Sequence, residues 1–477
     1  MGEGSQRKAQ ANNEARKAAL LAPLPYRRHS EQSEEPAVPL PNHYSLVFPI
    51  RSFSETRSVM VKHLSCLMTR FFTRERFGHP QFLAGLLLLA FLAQASWLVH
   101  SELTASKAPG VSEDVRIDAG WLQLHGARIA GAPFPDISFG LPLEISQSDG
   151  YDTEHSPLLS LVTAAPLLAS PQPPFSPESS PRWRWLPRMP FLACGVFLGA
   201  SLWYVARRLC GNTGGFLALT LYCFSPSMIQ ASAVWHTEPE ILAAWGSFGA
   251  IFTAIAVAHT LYAPREVILW NWRRIVLLGV SLAIAVGSQF SMIIVVPLAL
   301  VFLLYLAPIR RGAALTIWIS ACLLALALLF ATYFFHTHAF SESMRHASFW
   351  GATWRSFAVR GVYIQVTREI LRACPALALL LPVAVITYIV WRRTRYFGNT
   401  APGLIGLLFV GLGMAHPHVA GAGFLLASVP FILIFVSGVL ADLMETPARP
   451  LVTASVWGLL AAYILWNLQA LTQVPQG

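Results

Sequence analysis

QFLAGLLLLAFLAQASWLVH, residues 81–100, decides the fold. It carries no Asp, Glu, Lys or Arg, and a helix of roughly 20 such residues crosses the hydrocarbon core of a bilayer. It lies too far from the N-terminus for a cleaved signal peptide. Comparable stretches recur near 189–206, 214–234, 240–260, 275–288, 291–307, 313–335, 373–391, 402–415, 422–440 and 451–467. The composition agrees: 12% charged residues and a mean hydropathy of +0.51, against about 25% charged in soluble domains. The expected fold is an all-α polytopic membrane protein with about eleven transmembrane helices.

The net charge of +10 does not point to nucleic acid, because of where the charge sits. Arg70, Arg74 and Arg76, then Arg207 and Arg208, Arg273 and Arg274, Arg310 and Arg311, and Arg392, Arg393 and Arg395 cluster at alternate span ends. This is the positive-inside pattern of a membrane protein. It puts the N-terminus in the cytoplasm and residues 101–188, 235–238, 336–372 and 416–421 outside. Residues 1–79 then form a cytoplasmic tail, largely disordered, in which Met60 or Met68 is a candidate natural start. Residues 80–445 form the membrane domain, and 446–477 a last transmembrane helix with a short tail. None of the six Cys lies in 101–188, so a disulfide framework is not expected there.

The loop 101–188 concentrates acids. Of the 24 Asp and Glu in the chain, it holds Glu102, Glu113, Asp114, Asp118, Asp136, Glu144, Asp149, Asp152, Glu154 and Glu178. Within it, Ile117–Gly131 has a helical pattern with Asp118 at its head, stopped by Gly131 and Pro133. Leu158–Ala169 is apolar but only about 18 Å long as a helix. It is therefore expected along the membrane surface rather than across it.

Four polar clusters fall at the external ends of spans: Asp118; Tyr151 to Pro157 with Asp152, Glu154 and His155; His236 to Glu240 with Glu238; and Arg345–His346. A carboxylate can take a proton from an attacking hydroxyl. Arg and His can neutralise a departing phosphate. Carboxylates with His can hold a divalent cation, although no spacing here specifies one. Taken singly, each residue also has a structural role: Asp118 as a helix cap, Glu154 and His155 as solvated loop residues, Glu238 as a first-turn acid, Arg345 as a headgroup anchor.

Their order along the chain adds a resemblance. IDAGWLQLHGARIAGAPFPDISFG, followed by YDTEHSPLLSLVTAAPLL, resembles the first outer loop of GT-C membrane glycosyltransferases, in the branch of the protein O-mannosyltransferases and the aminoarabinose transferase. The stretch from MPFLACGVFLGA to WHTEPEILAAW resembles that family's next three spans. HPHVAGAGFLLASVPFILIF resembles a later segment, in which His416 stands. Ala119 replaces the second acid of the family's pair, Trp121 stands near its usual Tyr, and Ser156 replaces the first Pro of its box. Gln289 and Ser291 stand where many members have Thr-Lys, and His418 replaces an Arg.

The resemblance implies a polyprenyl-phosphate-linked sugar as donor, with a lipid, glycan or protein acceptor at the periplasmic face. It implies Asp118 as base, with inversion at the anomeric carbon. Glu154 and Glu238 would orient groups or hold an optional divalent cation. Asp152, His155, His236, Arg345, His346 and His416 would contact substrate. Two other classes share parts of the pattern. A lipid-linked-sugar flippase would place ionisable residues at mid-membrane, where the spans have few. A non-catalytic homologue would fit Ala119.

Overall fold

The structure is a computed structural model. It describes residues 79–104, 111–133, 150–169, 185–233, 240–262, 272–349, 361, 363–364, 375–415, 423–445 and 449–473. The chain divides into Met1–Glu75, which lies outside the described residues, and Arg76–Gly477, to which all that follows refers. The described elements are helical. In chain order they are α1 (His79–Thr104), α2 (Val111–Leu124), α3 (Pro157–Ala164), α4 (Met189–Cys223), α5 (Pro226–Ala233), α6 (Glu240–Thr260) and α7 (Trp272–Ser288). These are followed by α8 (Val295–Leu306), α9 (Arg311–Thr332), α10 (Thr337–His346), α11 (Leu377–Val390), α12 (Phe397–Ala415), α13 (Phe424–Met444) and α14 (Arg449–Gln473).

Each of the eleven hydrophobic stretches overlaps a described helix. Among the described residues seven helices are long and apolar enough to cross a membrane, α4 being counted as one, and Pro157–Ala169, Phe290–Leu306 and Leu377–Val390 are shorter apolar helices. The stretch 189–206 and the first part of the stretch 214–234 are the arms of a hairpin within α4, and the second stretch continues past Cys223 into α5. Gly211 breaks α4 at φ 74°, ψ −177°, a conformation reserved for glycine. The arms lie side by side, since Tyr222 Oη donates to Gly195 O at 2.6 Å.

α13 is the centre of the bundle. It packs against α12, α4 and α6 and is buried along most of its length. Phe431 meets Phe248 and Phe409 at 5.4 and 5.6 Å. A second helix break, before Pro226, frees carbonyls that other helices satisfy. Tyr463 Oη donates to Leu221 O at 2.8 Å, Gln94 Nε2 to Cys223 O at 3.2 Å, and Asn467 Nδ2 to Phe224 O at 2.9 Å. Apolar surroundings offer no water for such groups, so these three bonds hold α1 and α14 onto the hairpin.

The first loop differs from its sequence expectation. Its helix runs Val111–Leu124 rather than Ile117–Gly131. Gly126 at φ 70° ends the helix where a left-handed residue is favoured. Asp118 is therefore a mid-helix residue, not a cap. The second helix agrees with expectation: Pro157 begins it and Ser156 caps it, the Ser156 hydroxyl accepting from Leu158 N. α3 continues as a 3-10 turn to Ala169 and lies on α2. A side chain at Gly120 would strike Ser160 O, so glycine there permits the close approach.

Candidate active site

The segment Tyr151–Pro157 sits at the end of the bundle where α7 stops. Asp152 organises it. One carboxylate oxygen accepts from the backbone N–H groups of Glu154 and His155, each at 3.0 Å. The same oxygen lies 3.1 Å from His155 Nδ1. Burial pushes the Asp152 pKa up, but His155, Arg116 and the Glu154 N–H outweigh it, so the carboxyl titrates well below the usual range. His155 is 5% exposed, its ring oriented by this carboxylate.

Three elements hold the segment in place. Ser156 Oγ donates to Gly287 O at 2.7 Å, and Phe290 N donates to Glu154 O at 2.8 Å, tying it to the break between α7 and α8. Ser348 N donates to Thr153 O at 2.7 Å, tying it to the chain after α10. Tyr151 stacks on His346, ring centres 4.4 Å apart and 6° from parallel. The His346 Nδ1–H donates to Glu342 O at 2.8 Å. Two sequence clusters almost 200 residues apart, Tyr151–Pro157 and Arg345–His346, thus form one surface.

Arg345 projects from α10 with its side chain 76% exposed and 3.2 Å from Glu342. Such a solvent-screened pair holds a cation only loosely. Its helix follows a strained turn, in which Phe334 and Phe335 have φ of 50° and 61°, a region bulky residues seldom adopt. Asp118 is exposed on α2, whereas Ala119 beside it is 1% exposed. An acid at 119 would be buried, so of the positions 118 and 119 only 118 presents its side chain outward. Asp118 lies near Arg128, whose pKa is lowered by burial and raised by the Asp118 charge. Arg128 is held in turn by the carbonyls of Ala132 and Pro133, each at 2.9 Å. Asp118 stands about 140° around α2 from Gln123, and it is Gln123 that faces the Asp152–His155 pair.

His236, Glu238 and His416 lie outside the described residues, so the suggested pair Glu154 and Glu238 is not a described group. Among the described residues no three His, Cys, Asp or Glu side chains converge to hold a metal. The sequence reading passed over Gln123, Ser160 and Ser343, which line a small cavity with Asp152 and His155. The signal for Gln123 was present: an amide on the buried side of α2 that carries Ala119 and Gly120 is out of character with its neighbours.

The helical frame is similar in fold to solved oligosaccharyltransferase structures. The similar solved structures include the archaeal oligosaccharyltransferase AglB from Archaeoglobus fulgidus in complex with an inhibitory peptide and a dolichol-phosphate. It is 12% identical, at a TM-score of 0.52, over 82% of this chain and 56% of that one. The Archaeoglobus fulgidus oligosaccharyltransferase complex with zinc and sulfate is 13% identical, at a TM-score of 0.50, over 80% and 53%. This chain spans a little over half the length of either. No protein-family model matches the sequence, and no curated protein matches it.

Proposed function

We propose that this protein is a GT-C-type membrane glycosyltransferase. It moves a sugar from a polyprenyl-phosphate-linked donor to a lipid, glycan or protein acceptor at the periplasmic face of the inner membrane. The observation that carries the reading is a conjunction. A chain built on an oligosaccharyltransferase-like frame has its carboxylate-and-histidine loop stitched to a cation-bearing helix at one end of the bundle. In this reading residues 80–445 are the catalytic domain, and the order of motifs in the first loop favours the branch of the O-mannosyl and aminoarabinose transferases.

Asp118 is the base. Its carboxylate takes the acceptor hydroxyl proton, the acceptor oxygen bonds to the anomeric carbon, and the bond from that carbon to the phosphate oxygen breaks with inversion. Polyprenyl phosphate leaves with the electron pair and needs little acid help. Arg345 and His346 receive the phosphate: Arg345 has a solvent-exposed fork suited to two phosphate oxygens. Asp152 holds His155 and the loop backbone in place, and Glu154 and Glu238 orient the reacting groups.

Asp118→Asn keeps the size of the side chain and removes its basicity. With sugar-labelled polyprenyl phosphates supplied to membranes, the variant is expected to insert normally and to lose transfer by about 10²–10⁴-fold, the usual worth of a positioned base. Near-normal transfer by the variant would remove Asp118 from the chemistry.

A further inference from the structure

The cavity between α2, α3 and α10 holds an unanswered acceptor. Gln123 is 6% exposed, and among the described residues its Oε1 has no hydrogen-bond partner. A buried acceptor without a donor is costly, and native structures seldom leave one without a water or a ligand to fill it. The amide lines a half-open cavity with Gly131, Asp152, His155, Ser160 and Ser343, and the cavity measures about 30 Å³. That is space for roughly two water-sized groups, far too little for a sugar ring and enough for a hydroxyl entering from the mouth.

The walls set the polarity of the guest. Gln123 Oε1 and the Asp152 carboxylate can only accept. Asp152 is already engaged with His155 Nδ1 and two backbone N–H groups, so its charge is balanced and the pocket has no strong demand for a cation. Ser343 is bonded at 2.7 Å to Tyr333, so one hydroxyl hydrogen of that pair is already committed. The shape is fixed from behind: a side chain at Gly131 would come within 2.5 Å of the Tyr333 ring. The vacant role is that of a small, neutral hydrogen-bond donor.

We propose that this cavity is a hydroxyl-reading subsite, in which Gln123 Oε1 accepts from one hydroxyl of a polyhydroxylated substrate and so discriminates against substrates that lack it. The inference rests on the glycosyl-transfer reading only for the source of that hydroxyl, which can be the transferred sugar or the acceptor. Gln123 is a specificity residue here and touches no reacting atom.

The test is a binding cycle on the full-length protein in nanodiscs. The probes are methyl hexopyranosides, standing for the transferred sugar, and glycerol and N-acetylserine amide, standing for acceptors. Each is paired with its deoxy or alanine analogue and measured on wild type, Gln123→Leu and Gln123→Glu. The wild type is expected to bind one probe about 10–100-fold tighter than the analogue missing a single hydroxyl, the range a buried, otherwise unpaired group imposes. Gln123→Leu, which deletes an acceptor with no protein partner to lose, is expected to remain folded and to bind parent and analogue equally. Gln123→Glu keeps an acceptor and should retain the preference.

Which probe family shows the effect assigns the hydroxyl to sugar or acceptor. A preference that survives in Gln123→Leu, or no probe binding to wild type at all, would mean that the cavity holds water only and would overturn the proposal. Failure of the wider reading is visible separately. Sugar transfer that ignores Gln123 keeps the transferase and removes the subsite. A Gln123-dependent preference without transfer keeps the subsite and removes the transferase.

Discussion

The two ends of the helix bundle treat their polar residues in opposite ways. At the end where α13 finishes, every group of a small cluster is answered. Asn399, fully buried, donates to Thr394 O at 3.1 Å and to Asp442 Oδ2 at 2.8 Å, while the Cys210 thiol lies 3.8 Å from its Oδ1. Arg393 meets Glu445 at 2.8 Å beside it. This clasp joins the hairpin turn of α4 to α12 and α13. At the other end, some 28 Å along α13, Gln123 Oε1 and both amide atoms of Gln289 are buried without partners among the described residues. Gln289 there presses on Gly423, where a side chain would strike its oxygen. A satisfied network is fold, and an unsatisfied one invites a guest.

Substitutions sharpen that contrast. The largest effect on stability is expected from Asp152→Ala, because one carboxylate serves two backbone donors and a histidine. The loss should be about 2–4 kcal/mol, taking each as a charge-assisted bond with part of its worth offset by water at a group 24% exposed. Thermal unfolding in detergent checks this, and an unchanged midpoint would mean the segment is held by its other ties alone. The same carboxyl makes a pH prediction. Its native pKa is depressed, so its stabilising contribution is complete above the unfolded value of about 3.9 and is lost only as pH falls further toward the native value. Protection of the Glu154 and His155 amides from hydrogen exchange should therefore persist at pH 4.5.

A smaller loss, roughly 1–3 kcal/mol, is expected from Asn399→Leu, which leaves Asp442 without its amide donor. Here the comparison can break. If Asn399→Leu impairs substrate binding more than stability, the clasp end is not mere scaffold. The smallest structural effect belongs to Arg345→Lys. Its pair with Glu342 is solvent-screened, so stability should change by less than about 1 kcal/mol, while donor affinity falls because a point charge replaces a fork. Unchanged donor affinity would return Arg345 to a headgroup anchor.

The sequence carried the spans plainly, because a bilayer imposes one strong demand, a run of apolar residues, and Phe82–Val99 or Phe424–Leu440 meets it without regard to partners. It also carried the Pro157 helix start, which is local chemistry, but not the cap that Ser156 supplies. It did not carry the helix boundary at Val111, which lies ahead of the expected start at Ile117 and leaves Asp118 in mid-helix. Nor could it show that Tyr151 would stack on His346, or that Gln123 and Gln289 would be buried unanswered, since these depend on contacts between segments distant in the chain. Gln289 drew notice only as a departure from a resembling family, and the structure gives that departure a physical correlate.

The account's central claim is transfer at an oligosaccharyltransferase-like frame, and one measurement tests it most directly. Purified protein is reconstituted in liposomes with polyprenyl phosphate carrying a labelled sugar, and the fates of sugar and lipid are followed together. The account predicts that labelled sugar leaves the lipid for an acceptor, with an equal amount of polyprenyl phosphate released. Label that crosses between leaflets still joined to its lipid, with no polyprenyl phosphate released, would contradict it and make the protein a transporter.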